Sequence, residues 1–385
     1  MTPLGWIAAA SLAAWLWIAL LRGFFWLTDQ RLPADQRLPA AAEPVTWPSV
    51  AIVVPARDEA EVLADSLPSL LAQHYPGPAR VILVDDNSTD GTGELAHGLD
   101  RGGLPLTVST PGEPPSGWTG KLWALRHGIE LAGEVDLLLL TDADIAHGPD
   151  SLTELVRAAA DRDLVSQMVR LRTATGWEKL IVPAFVYFFA MLYPFRWSNR
   201  AGARTAAAAG GCTLVRRTAL ERAGGVAAIR GAVIDDVALA GLVKRGGGRI
   251  WLGLADRVAS IRPYPSLGDL WQMVARSAYA QLRNSLLLLT GTVLALALVF
   301  VVPPVATVLG AAVGDPVTAG TAALAWAVMA ATFVPMLRYY GQPAVAALAL
   351  PVTATLYLAM TVDSARRHWL GRGAQWKGRT YESRS

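Results

Sequence analysis

Cysteine is almost missing from this chain: Cys212 stands alone among 385 residues. No internal disulfide can form, so nothing points to an oxidising compartment. Histidine is sparse too. The five (His74, His97, His127, His147 and His368) show no close His–His or His–Cys spacing, which argues against a zinc site. Charged residues make up 17%, against roughly 25% in an ordinary soluble domain. The net charge of +3 comes with no dense basic stripe, so no nucleic-acid partner is expected. The arginine excess lies beside apolar segments instead, which suits anionic lipid head groups.

What the chain does have is apolar sequence, 53% of it, gathered in the first 27 residues and after Ser285. The length allows one α/β domain plus membrane segments, or two soluble domains, and this distribution favours the first. Gly5–Leu27 is long enough to span a bilayer, with Arg22 the one interrupting charge. Arg22, Arg31 and Arg37 follow the apolar run rather than precede it, so it reads as an uncleaved anchor with its C-terminal side in the cytoplasm. A buried core helix is the plainer alternative. Three further spanning-length runs are Ser285–Val313, Val317–Leu337 and Pro343–Val362. The basic tail after them (Arg366, Arg367, Arg372, Lys377, Arg379, Arg384) also belongs in the cytoplasm. Three crossings would put it outside, so one run is expected to be re-entrant, and Pro303-Pro304 nominates the first. Lys179–Trp197, broken by Pro183 and Pro194, reads as an interfacial segment or an ordinary core helix.

The middle of the chain reads as α/β. Val50–Pro55, Arg80–Val84 and Asp136–Thr141 are short continuous apolar runs, as expected for strands buried on both faces of a mostly parallel sheet. Between them Leu63, Leu67, Leu70 and Leu71, then Leu122, Leu125 and Ile129, recur at helical spacing, with Pro68 an interruption. Such sheets bind ligands at the carboxyl ends of their strands. All three runs end in acidic residues: Pro55-Ala-Arg-Asp-Glu59, Asp85-Asp86-Asn-Ser-Thr-Asp-Gly-Thr92 and Thr141-Asp142-Ala-Asp144. Two carboxylates one residue apart can share a Mg²⁺ or Mn²⁺ ion that bridges to phosphates. Asp58 or Asp90 taken alone reads equally as a helix cap.

In that order these motifs resemble glycosyltransferase family 2, with the closer likeness to its hopanoid-associated (hopene-associated) members. Supporting segments are Gly117-Trp-Thr-Gly-Lys-Leu-Trp123, Tyr193-Pro-Phe-Arg-Trp197, Ala206 to Cys212, Ile234-Asp-Asp-Val237 and Ile261-Arg-Pro-Tyr-Pro265. The resemblance implies a nucleotide-sugar-binding fold of the GT-A type and an inverting transfer. It places Pro55, Glu59, Asp85 and Asp86 around the nucleoside, Asp142 at the ribose and metal, and Asp144 on the metal. Lys121 would add donor contacts, unless it is a surface lysine. Asp235-Asp236 matches the family's acidic pair, with Asp236 as the base that deprotonates the acceptor hydroxyl. Gly210, Gly211 and Cys212 would leave room for acceptor or sugar, or mark a tight packing contact.

One departure bears on the substrate. Polysaccharide synthases of this family carry Gln-x-x-Arg-Trp where this chain has Met273-Val-Ala-Arg276-Ser277. Arg276 or Arg283 could still meet the diphosphate, but transfer of one sugar to a lipid is the better reading than processive polymerisation. The expected donor is a UDP-sugar and the expected location the cytoplasmic (inner) membrane. A nucleotidyltransferase would want a Gly-rich basic phosphate loop, which Val53–Ala60 lacks; a membrane scaffold with an inactive transferase domain is the other alternative. The expected layout is an anchor (1–28), a linker (29–49), a cytoplasmic transferase domain (50–284), membrane helices (285–365) and a basic tail (366–385).

Overall fold

The computed structural model describes residues 2–32, 46–99 and 103–371, and the backbone alone of 375–376 and 379–380. Residues 33–45 of the expected linker, and the side chains of Arg372, Lys377, Arg379 and Arg384 in the tail, lie outside the described residues. The chain forms two compact units. An α/β unit is built from Gln30–Arg172 and Trp197–Pro263, and a helical unit from Met1–Asp29, Thr173–Arg196 and Tyr264–Ala374. The stretch 50–284, expected to be one domain, thus lends two of its segments to the helical unit.

The α/β unit is organised by one eight-stranded sheet. Its strands are β1 (Val50–Ala56), β2 (Ala79–Asp85), β3 (Leu106–Ser109), β4 (Leu137–Leu140), β5 (Ile145–His147), β6 (Leu164–Arg170), β7 (Thr213–Arg216) and β8 (Ile250–Ser260), in the order β3-β2-β1-β4-β7-β6-β8-β5. Every residue of β1 and of β4 is buried, as their unbroken apolar sequences require. Val50, Ile52 and Val54 face the helix Ala60–Leu71 through Leu63, Leu67 and Leu70. Ala51 and Val53 face the helix Gly120–Leu131 through Leu122 and Leu125. That second helix lies very close: a Cβ on Gly128 would stand 2.4 Å from Val53 Cγ1. Pro68 falls in the last turn of its helix, which continues to Leu71.

The sheet is mixed rather than mostly parallel. β1, β2, β3 and β4 are parallel neighbours, as are β6 and β8, but β7 runs antiparallel to both β4 and β6, and β5 antiparallel to β8. The alternation of apolar runs and helices that suggests a parallel sheet ends after β4. Beyond it the connections carry β7 back in the opposite direction.

Among the described residues, five helices are long and apolar enough to cross a membrane: Pro3–Leu21, Gly176–Ser198, Leu286–Ala312, Pro316–Tyr339 and Ala344–Trp369. The second includes Lys179–Trp197, expected to be an interfacial segment or a core helix. β6 and β7, the strands before and after it in the chain, pair directly. Pro303-Pro304 does not break the next helix. A π-helical turn, Ala297–Val301, precedes them, and both prolines sit in the first turn of the α-helix that follows, where a missing N–H is tolerated. The turn frees carbonyls that side chains of the first helix take up. Ser11 Oγ donates to Leu298 O at 2.8 Å and Trp15 Nε1 to Val299 O at 2.6 Å. In an apolar surround such groups need partners from within the protein.

Candidate active site

β1 pairs in parallel with both β2 and β4, aligning Ala56 with Asp85 and Val53 with Leu140. The three acidic turns therefore open on the same edge of the sheet. The first two are knitted together. Asp58 and Asn87 adopt left-handed backbone conformations (φ 49° and 54°), which Asp and Asn tolerate better than most residues. Asp58 Oδ1 accepts from the Thr89 N–H at 2.7 Å, and Asp90 Oδ2 accepts from the Ala60 N–H at 2.9 Å. Asp58 and Asp90 are thus ties and caps. Asp85 Oδ1 accepts from the Ser88 N–H at 3.0 Å, and the buried Asp86 lies 3.7 Å from Arg57 Nη1. Neither lines the cleft below, and both are built into the loop that shapes this edge.

That cleft is lined by Pro55, Lys121, Thr141, Asp142, Gly210, Asp235 and Asp236, with Leu122, Val226 and Leu239 among its apolar walls. Thr119 caps the helix Gly120–Leu131, its hydroxyl accepting from the Leu122 N–H, and so fixes Lys121 in the first turn. Lys121 Nζ lies 2.8 Å from Asp142 Oδ1 and 3.2 Å from Asp235 Oδ2. Asp235 and Asp236 open the helix Asp235–Arg245. Asp236 accepts from the Val237 N–H at 2.7 Å and from the Gly210 N–H at 2.9 Å. It supports the helix start and still faces the cleft. A Cβ on Gly210 would stand 3.3 Å from Lys121 Nζ, 3.6 Å from Asp236 Oδ2 and 3.8 Å from Asp142 Oδ2. One point is therefore within 4 Å of the lysine, Asp236 and the strand-end carboxylate of Asp142.

The electrostatics follow from that crowding. Burial, reinforced by the Asp235 charge, pushes the Asp236 carboxyl up to about 7, with Lys121 and two backbone N–H groups opposing the rise. Burial also raises Asp142, against the pull of Lys121. Burial disfavours the charge on Lys121 itself, but Asp142 and Asp235 outweigh it and hold the ammonium above its ordinary range. Burial lowers His147 to about 3, so it is a neutral ring. Its Nε2 lies 3.0 Å from Thr141 Oγ1, and that hydroxyl donates to Gly211 O at 2.7 Å. This chain ties the end of β4 to the Gly210 turn. Sequence reasoning did not find it, because a lone histidine carries no motif.

Asp144 has partners of its own. Its Oδ2 accepts from Ser260 Oγ at 3.0 Å and from Arg262 Nε at 3.0 Å, while Arg262 Nη2 reaches Glu59 Oε2 at 2.5 Å. Arg262 is a site residue that sequence reasoning passed over, although Ile261-Arg-Pro-Tyr-Pro265 holds it. At Gly211 and Cys212 the geometry is that of tight packing, one of the two expectations. Cys212 is fully buried, its thiol pushed up to about 12 by burial. A Cβ on Gly211 would come within 3.0 Å of Val169. Arg276 caps the helix Leu267–Ala275 in the helical unit.

Among the described residues, no three His, Cys, Asp or Glu side chains are grouped to hold a metal. Asp142 and Asp144 still offer hard carboxylate oxygens. A Mg²⁺ or Mn²⁺ ion needs only one or two of these when substrate phosphates and water complete its shell, so the donor set fits such an ion.

Residues 51–224 match the family described as Glycosyl transferase family 2. An N-acetylglucosaminyltransferase of Mesorhizobium japonicum is 28% identical over 206 residues, covering 51% of this chain and 45% of that protein. A polyprenol monophosphomannose synthase of Mycolicibacterium smegmatis is 30% identical over 159 residues (38% and 56%), and a beta-monoglucosyldiacylglycerol synthase of Synechocystis 30% over 162 (39% and 33%). The chain thus spans about half the length, or less, of these curated relatives. Among solved structures, a mannosyltransferase from Pyrobaculum calidifontis in complex with GDP-Man and Mn²⁺ aligns with a TM-score of 0.56 at 23% identity, covering 96% of this chain and 99% of that one. At that identity the likeness shows a GT-A-like α/β fold and nothing more.

Proposed function

We propose that this protein moves one sugar, with inversion, from a nucleoside-diphosphate sugar to a lipid hydroxyl at the cytoplasmic face of the inner membrane. The observation that carries the reading is the convergence of Lys121, Asp142 and Asp236 around the Gly210 turn. A displacement at a sugar carbon needs a base on one side and charge compensation on the other. Asp236 takes the proton of the acceptor hydroxyl, whose oxygen attacks the anomeric carbon. The bond from that carbon to the diphosphate breaks, and its electron pair leaves with the diphosphate. Lys121 holds Asp142 and Asp235 in place and adds positive charge beside the leaving group. A divalent cation, held by Asp144 with Asp142, would neutralise the departing diphosphate. Glu59 faces the nucleoside side, and Asp85, Asp86 and Pro55 shape that edge.

The lipid acceptor is supported by the five spanning-length helices and by two relatives whose names specify lipid or polyprenol products. A hopanoid hydroxyl is the acceptor that the subgroup resemblance points to. The Gln-x-x-Arg-Trp departure at Met273–Ser277 stands against processive synthesis. The test is to incubate the protein in native membranes with labelled UDP- and GDP-sugars, then identify lipid-extractable product by mass. One labelled hexosyl lipid is expected, from a UDP-sugar. Label released only as free sugar, or built into polymer, contradicts the reading.

A further inference from the structure

We infer that Arg262 is a built-in competitor for the metal position: it occupies Asp144 when donor is absent and lets go when a diphosphate arrives. The inference rests on the reading above that Asp144 holds the cation. Arg262 joins Asp144 and Glu59, carboxylates from the ends of β4 and β1, and its place is fixed by backbone as well as side chain. The Ile261 N–H donates to Asp144 O at 2.9 Å, and β8, which Arg262 follows, pairs with β5 up to Ser260. Glu59 and Asp144 are only 9% and 14% exposed, so solvent screens these pairs little. A cation that takes Asp144 Oδ2 must therefore displace a guanidinium already hydrogen-bonded to that oxygen.

A diphosphate changes that balance. Its oxygens accept from a guanidinium at least as well as carboxylates do, so Arg262 can re-pair with the donor while Asp144 turns to the metal. Metal and donor then load together rather than independently. A purely structural ion pair behaves differently: removing it loosens the loop and leaves metal affinity unchanged or weaker.

The experiment measures Mn²⁺ binding by electron paramagnetic resonance, with and without UDP or GDP, for the full chain in nanodiscs. Arg262→Gln should bind Mn²⁺ without nucleotide on the order of tenfold more tightly than wild type, with less enhancement by nucleotide. Unchanged or weaker Mn²⁺ binding overturns the inference. If Arg262→Gln does not fold, Arg262→Lys carries the test: lysine lacks the planar fork that meets Asp144 through Nε and Glu59 through Nη2, so a smaller gain of the same sign is expected, and no gain is the overturning result. Asp144→Asn separates the two levels. If it loses Mn²⁺ while Arg262→Gln gains nothing, the metal assignment stands and only the competitor role falls. If it binds Mn²⁺ and nucleotide as wild type does, the metal assignment falls and the inference with it.

Discussion

Asp236 accepts hydrogen bonds from Gly210 and Val237 while sharing its surroundings with Asp235 and Lys121. Each carboxylate oxygen has lone pairs to spare, so the group can take a proton without giving up these bonds. Its titration near 7 gives a prediction with a definite sign. The base works only when ionised, so kcat/KM should rise about tenfold per pH unit below about 7 and level off above it. Lys121 pulls that value down, so Lys121→Met should move the profile to higher pH. A pH–rate series on both proteins checks this, and a profile that falls across the same range contradicts it. At this scale the sequence marks Asp142, Asp144, Asp235 and Asp236 because they sit in motifs. It does not mark Arg262 or the His147–Thr141–Gly211 chain. Arg262 meets Asp144 across 118 residues and Thr141 meets Gly211 across 70, and nothing local signals such meetings. Asp85 and Asp86 stand out by their motif as well, but the sequence does not show that they meet Ser88 and Arg57. Acidic residues in a turn suit loop hydrogen bonding as well as ligand binding, and only the fold distinguishes the two.

At the scale of elements, β1, β2 and β4 are legible because continuous burial demands continuous apolar sequence. β7 and β5 are four and three residues long, too short to show a period, and the antiparallel half of the sheet rests on them. The helix Gly120–Leu131 is legible from its leucine spacing, but its closeness to the sheet is not. That closeness depends on Gly128, where a Cβ would also lie 3.0 Å from Val84 Cγ2. Gly128→Leu should push the helix, and Lys121 with it, off the sheet. The expected cost is about 1–3 kcal/mol in thermal or denaturant unfolding, with loss of donor binding. A variant as stable as wild type with normal donor affinity would show that this contact does not position the lysine.

Across the whole molecule, the apolar runs are visible as sequence because a bilayer demands length and composition rather than pattern. How they pack is not visible. The π-turn that serves Ser11 and Trp15, and the buried hydroxyl pair of Tyr187 and Thr332 at 2.7 Å, depend on side chains meeting across helices. Nor does sequence order reveal that Thr173–Arg196 joins the helical unit while the strands on either side of it pair with each other. The central claim is that the α/β unit completes a sugar transfer to lipid with Asp236 as its base. Its most direct test compares donor affinity and labelled lipid product in nanodiscs for wild type, Asp235→Asn and Asp236→Asn. Asp236→Asn keeps the shape and removes the basicity, so donor affinity should persist while transfer falls on the order of 10²–10⁴-fold. Asp235→Asn should be milder. Near-normal transfer in Asp236→Asn, or a larger loss in Asp235→Asn, would contradict the account.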